Sequence, residues 1–322
     1  MRVFRNEPER WSNRKSSHGS LKRQQLRIGG GRRIDFVDLG DPAGVPALYL
    51  HGTPSSAGEA RWLHEAACAQ GVRLVSLDRP GYLQSERSPA ASFVAVAEDV
   101  VAVADALALA RFAVVAFSGG AGYALATASL APERVTVVHI GGGIGSLAGV
   151  AGKDLPLPRR LMFKLVAGVP AVFGPVLAGG FRLLRRGIAK RLDAPAEAAT
   201  WFFKGPAQGA QIAAVAEYIR ITAPDDLRDE LSDFAEGTRA TRAIVDDLKA
   251  YVRPWPFDLS TLTTRVELWH GRNDPAAPIA FAERMASDLP NAELHAFTDE
   301  GHFVFHAHAE AVTTAIREHA AN

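Results

Sequence analysis

The chain has 322 residues, beyond the roughly 250–300 at which a single hydrophobic core stops growing, so one large domain carrying an insertion is expected. Hydrophobic residues make up 48% and charged residues 22%, which excludes a disordered or low-complexity chain. Lys plus Arg number 36 against 35 Asp plus Glu, and a net charge of +1 offers no overall field for nucleic acid or an acidic partner. The single cysteine, Cys68, excludes an intrachain disulfide and a cysteine-built metal cluster, which suits a reducing compartment.

Residues 1–23 mix Arg, Lys, Ser and Asn without periodicity and hold no apolar run of signal-peptide length. They are read as a basic flexible tail, and the protein as cytoplasmic. Next come two extended runs, QQLRI and RRIDFVDLG, separated by Gly29, Gly30 and Gly31, the signature of a β-hairpin. Four compact apolar runs follow, at 46–52, 72–78, 112–118 and 135–141, each of strand length. Helical patterns at 59–70, 93–110 and 121–129 lie between them. Strands apolar on both faces, alternating with helices, predict an α/β fold with a mostly parallel central sheet flanked by helices.

The alternation stops after Gly143 and resumes with RVELWHG at 265–271, the helix IAFAERMASDL, the strand AELHAFT and a last helix. Between them, residues 145–255 read as all-helical, an insertion dividing a core formed by 24–144 and 256–322. Residues 165–181 carry no charge, yet Pro170, Pro175 and four glycines interrupt them, and they are read as a pair of short buried helices instead of a membrane span. In FRLLRRGIAKRL, Phe181, Leu184, Ile188 and Leu192 recur at helical spacing with arginines on the other faces, a solvated basic face on a packed helix. Membrane association is not expected.

Ser118 follows directly on a fully apolar strand and precedes a helix. Its neighbours two residues away, Ala116 and Gly120, are small, as a tight strand-to-helix turn requires. Such a turn lifts the hydroxyl clear of the sheet and aims the helix N-terminus at it. Here the chain resembles the α/β-hydrolase family, whose nucleophile elbow is G-x-S-x-G, with Ala116 in place of the first glycine. The resemblance runs in motif order over residues 24 to 320. It implies an acid after the strand that ends in RNDPAAP, which is Asp274, and a base after the last strand, in TDEGHF, which is His302. Asp299 and Glu300 share the short loop of His302 and are poorly placed to reach its far ring nitrogen. His295 is read as packed within a strand, and His306 and His308 as surface or capping residues.

The resemblance further assigns the oxyanion hole to the backbone N–H groups of Gly119 and Thr53, the latter in YLHGTPSSAG, with His51 supporting that loop. Asp78 and Arg79 at the next strand end are read as scaffold. It also equates the 145–255 insertion with a helical cap, in which Phe163, Phe173, Trp201, Phe202 and Tyr218 suggest an apolar lid. The expected function is therefore a serine hydrolase cleaving a carboxylic ester or related acyl bond of a small, hydrophobic substrate through an acyl-enzyme. No metal or cofactor is expected: no HExxH, no glycine-rich phosphate loop, and serine where a dehalogenase or epoxide hydrolase of this fold needs Asp. Acyl transfer, lactone or C–C bond cleavage, cofactor-free oxygen chemistry and a non-catalytic small-molecule binding module stay open, as do monomer and homodimer.

Overall fold

The computed structural model describes residues 2–4, 21–88, 92–148, 155–191, 193–194, 232, 235 and 237–320. Its strands are β1 (Arg2–Phe4), β2 (Arg23–Ile28), β3 (Arg32–Gly40), β4 (Val45–Leu50), β5 (Val72–Leu77), β6 (Phe112–Phe117), β7 (Val135–Gly141), β8 (Arg265–Gly271) and β9 (Ala292–Phe297). They form one sheet in the order β1-β9-β8-β7-β6-β4-β5-β3-β2. The β2–β3 and β3–β5 pairs are antiparallel and the rest parallel. The predicted hairpin and each predicted strand are present. The reading of 1–23 as a tail is corrected at residues 2–4: β1 adds a parallel strand to the edge of β9, with Arg2 paired to His295 and Phe4 to Phe297. No apolar periodicity announces so short an edge strand.

Period-two alternation sends successive side chains of each strand to opposite faces. Leu48, Leu50, Val114 and Ala116 enter one core layer, while Tyr49, Val115 and Phe117 enter the other. All six residues of β6 are buried, so its end is a rigid platform. The helices that cover the sheet are α1 (His64–Gln70), α2 (Phe93–Ala106) and α3 (Ala121–Leu130) in the first half of the chain. Ser92 starts α2 by accepting the Ala95 amide at 3.1 Å, and Gly71, at φ 67°, ends α1 in the left-handed conformation.

Between β7 and β8 come α4 (Leu157–Gly168), α5 (Pro170–Ala189) and α6 (Thr241–Tyr251), and after β8 come α7 (Ala280–Asp288), α8 (Val304–Ala307) and α9 (Ala309–Ala320). Pro170 opens α5, as its preset φ favours at a first helical position. The pair of helices read from 165–181 is present but is neither short nor buried: α5 runs 20 residues with Pro175 inside it. Phe163, Val166 and Ile188 pack inward, while Leu161, Met162, Val172, Val176 and Leu183 face outward. The apolar residues are spread around more than one face, so only part of them can reach the core. Trp201, Phe202 and Tyr218 lie outside the described residues. Among those described, no helix is long and apolar enough to cross a membrane.

Four histidines are held neutral inside this framework. Burial lowers His51, helped by Arg79; it also lowers His270, His139 to about 3 and His306 to about 4. In the unfolded chain these rings bind a proton below about pH 6.5. Below that value the unfolded state holds more protons, so stability falls with acid, at about 1.4 kcal/mol per pH unit for each ring kept neutral. The urea midpoint is expected to drop clearly between pH 7.5 and 5, a window in which ordinary carboxylates stay ionised. An unchanged midpoint would mean that these rings titrate in the folded protein as they do in the unfolded chain.

Candidate active site

Ser118 lies where β6 gives way to a single 3₁₀ turn and then α3. Its φ is 52°, a left-handed conformation that a non-glycine residue holds only under strain. The next requirement of the turn is visible at Gly120, where a Cβ would lie 2.3 Å from the carbonyl oxygen of Leu50. The chain therefore passes hard against β4, and the serine is pushed out above the sheet ends.

The structure brings Ser118, His302 and Asp274 together. Ser118 Oγ is 3.0 Å from His302 Nε2, and His302 Nδ1 is 2.7 Å from Asp274 Oδ2. The other carboxylate oxygen of Asp274 accepts the amides of Ala276 at 2.7 Å and Ala277 at 2.9 Å. Burial pushes the Asp274 carboxyl up, but His302, His270 and the Ala277 amide outweigh it and leave it below the usual range. An ionised carboxylate in this place fixes the proton on Nδ1 and leaves Nε2 free to accept from the serine. Gly142, at φ 53°, lets the end of β7 pass beside the ring: a Cβ there would lie 3.0 Å from His302 Nδ1. Phe117 covers the ring from below, with centroids 4.8 Å apart.

The loop after β4 closes the other side. A Cβ on Gly52 would sit 3.3 Å from the Ser118 Cβ, and one on Gly119 2.7 Å from Thr53 Oγ1, so Thr53 and Gly119 are in contact. Glu59 holds this loop, accepting from the Gly52 amide at 2.8 Å and from Tyr49 Oη at 3.0 Å, while burial pushes its carboxyl up. His51 is fully buried; Nε2 accepts the Arg79 amide at 3.2 Å, which leaves Nδ1 to donate to the Gly52 carbonyl at 2.8 Å. The expected supporting role of His51 is thus realised. Asp78 accepts the Ala57 amide at 2.6 Å and also binds Arg23.

Among the alternatives, Asp299 is exposed, and Glu300 turns its carboxylate toward His308, at 3.6 Å from Nε2. His295 is packed against Trp269, as expected for a strand residue. The reading of His306 and His308 as surface or capping residues holds for His308, which closes α8 with its amide on the Val304 carbonyl at 3.0 Å while its ring stacks on Phe297 at 4.0 Å, and is corrected for His306, which is half-buried and edge-on to Trp62. Helix α8 is only one turn long, and both flanks of it pack inward. Three close ligand groups, Glu267, Glu293 and His295, lie away from the serine, and Arg265 already occupies the carboxylates.

Two residues of α6 escaped the sequence reading. Asp247 and Tyr251 sit one turn apart and reach Thr53 Oγ1, each at 2.7 Å. The signal was faint: polar groups at i and i+4 on the same side as Ile244 and Leu248, in a helix with Asp246 adjacent. From α4, Arg159 donates to the Pro275 carbonyl at 2.8 Å, tying the insertion to the loop that carries Asp274.

Comparison with known proteins places this geometry in context. Residues 47–315 match the model of the alpha/beta hydrolase family. A 2-hydroxymuconate semialdehyde hydrolase of Pseudomonas putida is 27% identical over 295 residues, 88% of this chain and 89% of that protein. Among solved structures, an alpha/beta hydrolase fold protein from Nakamurella multipartita superposes with TM-score 0.64 at 21% identity, over 94% of this chain and all of that one. An esterase from Exiguobacterium antarcticum has TM-score 0.64 at 18% identity, over 92% and 99% of the two chains. A family model spanning most of the chain, with the mostly parallel sheet and the strand-to-helix turn at Ser118 beneath it, shows that this protein belongs to the alpha/beta hydrolase family.

Proposed function

We propose that the protein is a serine hydrolase that cleaves an acyl bond of a small molecule through an acyl-enzyme, with a carboxylic ester as the favoured substrate class. The observation that carries this reading is the unbroken row Ser118–His302–Asp274, at 3.0 and 2.7 Å, with the serine on a strained turn. Ser118 Oγ attacks the carbonyl carbon while His302 Nε2 takes its proton, and the carbonyl oxygen becomes an oxyanion facing the Thr53 and Gly119 amides. Collapse breaks the bond to the leaving group, which takes the proton from His302. Water then repeats the sequence on the acyl-enzyme and frees the acid and the serine.

The helices α4 to α6, read as part of a cap, supply Phe163 and Phe173 toward the core side and would favour an apolar acyl or aromatic group. The test is labelling with a fluorophosphonate probe and turnover of short and medium p-nitrophenyl esters. One label per chain on Ser118, with ester turnover, is expected; an unlabelled Ser118 in the folded protein removes the nucleophile.

A second reading rests on the full-length similarity to the Pseudomonas putida hydrolase. The substrate in that protein's name, a semialdehyde of an unsaturated hydroxy acid, contains no ester, so hydrolysis there would fall on a carbon–carbon bond. Here the same row of residues would serve C–C cleavage. Product analysis separates the two: release of an alcohol from esters supports the first, and selective cleavage of an unsaturated keto acid the second.

A further inference from the structure

The steps proposed above leave unused a buried polar cluster centred on Asp247. Its Oδ2 accepts from Arg79 Nη2 at 2.7 Å, Thr53 Oγ1 at 2.7 Å and Tyr82 Oη at 2.6 Å, and its Oδ1 from Tyr123 Oη at 2.6 Å. Arg79, only 2% exposed, also donates to Thr53 Oγ1 at 2.6 Å and to the His51 carbonyl. Burying an ion pair is costly, and one with this many partners is weak grounds for a purely stabilising role. What the cluster does achieve is orientation. The Thr53 hydroxyl is held by Arg79, Asp247 and Tyr251 together.

Tyr251 extends the hold to the serine turn. Its Oη is 2.7 Å from Thr53 Oγ1 and 2.9 Å from the Gly119 carbonyl oxygen. Burial and then the Asp247 charge push this phenol up, so it stays a donor across the working pH range. With the Thr53 proton given to Asp247, the single Tyr251 proton goes to either Thr53 Oγ1 or the Gly119 carbonyl, and this buried hydroxyl is packed against both residues whose amides face the oxyanion. Both Asp247 and Tyr251 belong to α6, the last α-helix before β8, far along the chain from Thr53 and Gly119.

We propose that Asp247 and Tyr251 are positioning residues for the oxyanion hole, acting through the Thr53 hydroxyl and the Gly119 carbonyl. The inference rests on the serine hydrolase reading. A hole whose donors are displaced by a few tenths of an ångström still binds a planar carbonyl but stabilises the tetrahedral anion less.

The experiment uses the full chain with Tyr251→Phe, which removes the hydroxyl and keeps the ring beside Phe93, and Thr53→Val as a second variant acting from the loop side. For p-nitrophenyl acetate, kcat is expected to fall roughly 10- to 100-fold in each, less than the roughly 10²- to 10³-fold cost of removing an oxyanion donor outright, with KM within about twofold. Inhibition by phenylboronic acid, which forms a tetrahedral adduct on the serine, should weaken by the same factor. Inhibition by benzoate, planar and non-covalent, should not change. In the double variant the two losses should fail to add, because they act through one contact.

Unchanged kcat and boronate affinity in Tyr251→Phe overturn the proposal, as does a rise in KM alone, which would make Tyr251 a substrate contact. Additive losses in the double variant overturn it too. If Tyr251→Phe does not fold, unchanged kcat and boronate affinity in Thr53→Val overturn it. Fluorophosphonate labelling of the wild-type chain separates the underlying reading: failure to label Ser118 sinks that reading, whereas labelling with unaffected variants sinks only this one.

Discussion

Ser118→Ala is expected to lower ester turnover by on the order of 10⁶-fold, the scale seen when the nucleophile of a serine hydrolase is removed. The loss should be complete in labelling as well, since no other hydroxyl is placed at 3.0 Å from His302 Nε2 among the described residues. The same position allows a second measurement. At φ 52° any side chain beyond glycine is strained, by about 1 kcal/mol or more. Ser118→Gly should therefore be inactive yet raise the thermal midpoint relative to Ser118→Ala. If the two variants melt alike, the turn carries no such strain and the serine is not being held out by the backbone.

Asp274→Asn is the second large effect, on the order of 10⁴-fold in kcat with the fold retained. The hydrogen bonds around the carboxylate say why. Oδ1 is committed to the amides of Ala276 and Ala277, which need an acceptor, so an asparagine would keep its oxygen there. Its NH₂ would then face His302 Nδ1, where a second donor forces the ring proton to Nε2. That tautomer has no lone pair for the Ser118 proton. Turnover within tenfold of wild type would move the acid away from Asp274, and the exposed Asp299 offers no equivalent. Because the Asp274 carboxyl sits below its usual range, its contribution to stability is present above about pH 3.8 and is lost as acid protonates it in the folded state.

The arrangement around Thr53 shows why some of the site could be read from the chain and some could not. Ser118, Asp274 and His302 each follow a strand within a few residues, and strand ends can be located from local apolar patterns. Asp247 and Arg79 are 168 positions apart, and nothing near either one announces the other. Asp246 and Asp247 are the clearest example. Adjacent and chemically identical, they point to different faces of α6: Asp246 pairs with Arg87 at the surface, whereas Asp247 is buried beneath Thr53. A helical pattern places two such neighbours about a hundred degrees apart, and only the packing of that helix decides which is inside.

The motif resemblance supplied Asp274 and His302; periodicity and turn chemistry, both properties of short stretches, determined the parallel sheet, the hairpin, the helical character of the described part of the insertion and the place of Ser118 at a strand-to-helix turn. Local rules suffice there because alternation and small residues at a tight turn act over a few positions. The tertiary structure alone decided the rest. It joined β1 to the sheet edge, turned many of the apolar residues of α4 and α5 outward, packed His306 against Trp62, and brought Asp247 and Tyr251 to the oxyanion loop. Each of these depends on which distant surface arrives opposite a residue, and that is set by the packing of the whole chain.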